Sequence, residues 1–64
     1  MNPVEELKNH LFDITLDAIQ EYMETGEEKA AYAAFSLLEI TDKLGWLSEM
    51  EEKAKEVGMN VHFS

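Results

Sequence analysis

Glycines at 26, 45 and 58 divide the chain into three stretches, and the apolar residues of each recur at helical three-and-four spacing. Asn2 is a good N-cap, Pro3 suits the first helical position, and Glu5 falls where a capping-box acid belongs. Val4, Leu7, Leu11, Ile14, Ala18 and Tyr22 then carry the period up to Gly26. Thr25 and Glu28 repeat the cap pattern for a second helix that stops before Gly45, and Ser48 with Glu51 opens a third that Gly58 closes. The spacing predicts helices over about 3–25, 27–44 and 48–57, followed by a tail over 58–64. Within that tail, Met59 to Ser64 alternates apolar and polar as a short extended segment would. The expected fold is all-α: one domain over 1–64, a long helical hairpin with a short third helix beside it.

Such a bundle has to be held by tight helix packing or by association with another chain. At 64 residues there is room for one small core, and with no cysteine neither a disulfide nor a thiolate metal site can supplement it. The first helix nevertheless carries an apolar arc of roughly 200°, twice what one core needs. Its seam of Val4, Leu7, Leu11, Ile14 and Ala18 is flanked by a second set, Phe12, Leu16, Ile19 and Met23. The second helix is wider still, with Ala30, Ala33, Leu37, Ile40 and Leu44 on one side and Ala31, Ala34, Phe35 and Leu38 around from them. The third offers only the thin stripe Leu47, Met50, Ala54 and Val57. One thin helix is too little to cover two broad faces, so a homodimer is expected, with Phe12, Leu16, Ile19, Met23, Phe35 and Leu38 at its interface. The alternative is a compact monomer in which the third helix and the tail cover more.

Charge limits the partners. Fourteen Asp and Glu stand against five Lys and no Arg, a formal net charge of −9 spread along the chain. This repels phosphate backbones and anionic lipid and attracts basic surfaces, so direct nucleic-acid or membrane binding is not expected. No stretch has the length of a bilayer span, and Met1 to Glu6 lacks the pattern of a signal peptide, so a cytoplasmic location is expected.

The most distinctive feature is an acidic stripe on the first helix: Glu6, Asp13, Asp17, Glu21 and Glu24, with His10 among them. It reads as a contact face for a larger protein with a basic surface, or as a nucleic-acid mimic, since carboxylates a helical turn apart approach the spacing of phosphates. The bland reading is the solvated side of an amphipathic helix. From another class comes a small metal-dependent hydrolase, in which folding back at Gly26 would bring Glu39 and Asp42 to the level of His10 and Asp13. No catalytic residue, metal or cofactor is assigned, because these residues point largely to solvent on the wheel. Gly45 gives residues 39–48 the rhythm of a helix-turn-helix, but the helix that would read DNA is net acidic. Trp46 is expected in the core and Tyr32 at the surface. Together these features suit a small regulator or inhibitor, of the kind phages and mobile elements encode, and not an enzyme.

Overall fold

The structure is a computed structural model and describes residues 2–59. Three helices follow in order, α1 Pro3–Thr25, α2 Glu28–Lys43 and α3 Leu47–Glu56, with no strand among the described residues. The chain is an all-α bundle, as its apolar period implies. Most of the tail, residues 60–64, lies outside the described residues, and so does the extended segment expected there.

The start of α1 follows the sequence signal: the Val4 N–H donates to the Asn2 side-chain oxygen at 3.0 Å, with Pro3 at the first helical position. Its end is set by Gly26, whose φ of 67° is left-handed and whose N–H bonds the Tyr22 carbonyl at 2.8 Å. The other two expected caps are not used. The Thr25 hydroxyl donates to the Glu21 carbonyl at 2.9 Å and accepts the Glu27 N–H at 3.2 Å. It therefore splices the end of α1 to the entry of α2, which begins with no side-chain cap. Helix α3 starts at Leu47, ahead of Ser48, with Trp46 at the cap position.

The short turn makes α1 and α2 antiparallel, and small residues let them approach closely. Thr15, Ala30, Ala34 and Thr41 are all buried. A buried hydroxyl needs a partner, and each threonine finds one in its own helix. Thr15 donates to the Leu11 carbonyl at 2.6 Å and Thr41 to the Leu37 carbonyl at 2.8 Å.

The core joins Phe12, Leu16 and Ile19 of α1, Ala34 of α2, and Met50 and Ala54 of α3. Half-buried Leu38, Trp46 and Leu47 pack against it. Trp46 meets Phe12 edge to face, ring centroids 6.4 Å apart.

This arrangement corrects the assignment of the two faces of α1. Phe12, Leu16 and Ile19, expected between copies, are inside the chain's own core at 3%, 7% and 7% exposure. Helix α3 lies along that flank, and Met50 and Ala54 cover it. The seam expected to face the core is split: Ala18 packs half-buried against that core and Leu11 is half-buried, while Val4, Leu7 and Ile14 are open, Leu7 at 67% and Ile14 at 42% exposure. Of the remaining interface residues, Met23 and Phe35 are exposed and Leu38 is half-buried.

Candidate functional site

Outside the core an acidic surface and an apolar surface stand out. The acidic one is narrower than the sequence stripe. Asp17, Glu21 and Glu24 line one shallow depression on α1 together with Gln20, whose amide donates to Glu24 at 3.4 Å. No lysine lines it. Glu6 is exposed near the far end of the same helix. Asp13 is engaged within the chain, because Lys53 of α3 reaches its carboxylate at 3.0 Å. The stripe is thus interrupted at Asp13 by a cation.

The proposed hydrolytic cluster does not assemble: no three His, Asp or Glu side chains converge as a metal site among the described residues. Asp13 turns to Lys53, Glu39 pairs with Lys43 on its own helix, and Asp42 lines a groove with Leu38 and Leu47.

Lys8 was not evident from sequence as a key residue. Its ammonium lies 2.9 Å from Glu5 and 2.7 Å from Glu49, and 5.8 Å from the centroid of the Trp46 ring. The hydrogen bond to Glu49, then that to Glu5, holds its pKa above the ordinary lysine value of 10.5. Lys8 therefore fastens the start of α3 onto α1. The only legible trace was a single cation on α1, three residues after an acid.

The apolar surface lies on the side of the hairpin away from α3. Leu7 and Ile14 of α1 share it with Ile40 of α2 and Leu44 just beyond it, and half-buried Leu11 and Leu37 lie between them on the wheel. Ile40 and Leu44 are each about half exposed. Other exposed apolar side chains lie elsewhere. Tyr32 points to solvent, and Phe35 meets Tyr22 at 6.1 Å beside the groove formed with Leu38 and Leu47.

Comparison of the chain with protein families, with curated proteins and with solved structures finds no match. No helix of the described residues is long and apolar enough to cross a membrane.

Proposed function

We propose that this chain is a small acidic interaction module that pairs with itself and regulates a larger protein through the acidic side of α1. The observation that carries the reading is the depression of Asp17, Glu21 and Glu24. It concentrates negative charge on a helix whose neighbouring positions contribute no cation, while Lys8 and Lys53 are drawn to other ion pairs. A field of this sign recruits a basic surface and raises its association rate. In this reading the module acts by contact and leaves chemistry to its partner.

The test is a triple variant, Asp17→Asn, Glu21→Gln and Glu24→Gln, compared with the wild type in affinity capture from the source cells. Circular dichroism of the same samples reports whether the helices persist. The reading expects a captured protein with a basic surface that is lost from the variant and released by salt. Capture that is indifferent to all three changes would remove the acidic face from the function.

A further inference from the structure

We infer that the open apolar side of the hairpin is the docking face for a second copy of this chain, α1 of each copy lying against α2 of the other. The inference rests on the self-pairing reading above and specifies the face and the arrangement.

The first argument is shape. Leu7, Ile14 and Glu21 recur every seventh residue and so form one row along α1. Lys29, Ala33, Ser36, Ile40 and Leu44 form the matching row along α2 and just past its end. The antiparallel turn sets Leu7 at the height of Leu44 and Ile14 at that of Ile40, so the two rows make one apolar strip flanked by charge. Helix α3 is tied to the other side through Glu49 and Lys53, leaving the strip uncovered.

The second argument is the small core. Beyond alanine, only Phe12, Leu16, Ile19 and Met50 are buried apolar side chains among the described residues, whereas Leu7, Ile14, Ile40 and Leu44 on this one strip stand open. A domain of this size buries only about 60% of its unfolded surface and is marginal alone, so further burial against a second copy, always present in equal amount, adds stability it can use. Four such side chains make a patch on the order of a few hundred Å², the size of the largest apolar patch on a typical monomer, which is often functional.

The third argument is charge. Along the α1 edge of the strip stand Asp17 and Glu21; along the α2 edge stand Lys29 and the Lys43–Glu39 ion pair, so Lys29 is the cation that edge offers. Pairing α1 with α1 would set acid against acid. Pairing α1 with α2 across a two-fold axis parallel to the helices brings Glu21, on the strip side of the acidic depression, beside Lys29 of the partner subunit and leaves Asp17 and Glu24 for the basic surface; Lys29 forms no ion pair within the described residues of its own chain.

Sedimentation equilibrium of the untagged chain, repeated at low salt and at about 0.5 M where a charge of −9 is well screened, supplies the test. The wild type should be a dimer, and Ile40→Glu should raise the dimer dissociation constant about a hundredfold with helicity retained. Phe35→Glu, on the α3 side, should leave it unchanged. Glu21→Lys and Lys29→Glu should each weaken the dimer about threefold, and the two together should restore it. A wild-type monomer at both salts would overturn this inference together with self-pairing. A dimer that survives Ile40→Glu and falls to Phe35→Glu would overturn the face alone and leave self-pairing standing. Failure of the double charge reversal to restore affinity would overturn the arrangement of α1 on α2. That last pair of variants leaves the apolar strip intact, so it decides the question even if Ile40→Glu unfolds the chain.

Discussion

The Lys8 ammonium sits 2.7 Å from the Glu49 carboxylate, joining residues 41 positions apart across the junction of α1 and α3. The pair is flanked by Glu5 and by the Trp46 ring, so one cation serves two carboxylates and an aromatic face. Lys8→Met should lower the melting temperature by a few degrees and loosen α3 first. The direction of the pKa shift fixes the pH dependence. A lysine raised above 10.5 on folding contributes stability that is fully present below that pH and is lost as pH rises through its folded pKa. The difference in melting temperature between wild type and Lys8→Met should therefore hold through neutral pH and close in the alkaline range.

Met50 is fully buried and is the largest side chain that α3 places in the core. Met50→Ala should cost about 2–5 kcal/mol, since the cavity left behind adds to the lost transfer energy. For a domain of this size that is a large part of the total stability. Urea unfolding should show a much lower midpoint, and a midpoint within error of wild type would mean that α3 contributes little to the fold.

Thr15 and Thr41 are buried with their hydroxyls bonded back to their own helices. Because each bond is local, the isosteric change Thr41→Val removes donor and need together and should shift stability by no more than about 1 kcal/mol either way. Thr41→Leu adds volume at a close helix approach and should cost about 1–3 kcal/mol. Chemical denaturation of the two variants side by side separates size from polarity.

At Gly26 the positive φ is compulsory for the turn, although a Cβ there would meet nothing within 4 Å. Gly26→Ala should therefore destabilise through backbone strain alone, by about 1 kcal/mol. Gly26→Asn, which tolerates the left-handed region better, should recover part of the loss in a thermal melt.

Much of this fold was legible because it is written locally. Helix spacing, Asn2 with Pro3, and Gly26 act within one turn of chain, and they gave the helices and the first cap. What sequence could not decide was which apolar flank of α1 would be taken. Phe12, Leu16 and Ile19 compete with Leu7 and Ile14 on nearly equal terms, and the choice is made by where α3 lands. That depends on Trp46 against Phe12 and on Lys8 reaching Glu49, both contacts between distant residues. The same landing breaks the acidic stripe by bringing Lys53 to Asp13. The expected caps at Thr25 and Ser48 failed for a related reason: polar side chains near a turn have several backbone groups in reach, and the turn geometry selects among them.

The two ion pairs that hold α3 have a consequence for how the molecule comes apart. Lys8 with Glu49 and Lys53 with Asp13 fasten the short helix at two points, with only Met50 and Ala54 as fully buried weight between them. Salt weakens such pairs, yet it also screens the mutual repulsion of two chains that each carry −9. Rising ionic strength should then act in opposite senses on α3 and on the proposed pairing, freeing α3 to exchange its amide hydrogens sooner while easing the proposed approach of a second copy to the hairpin.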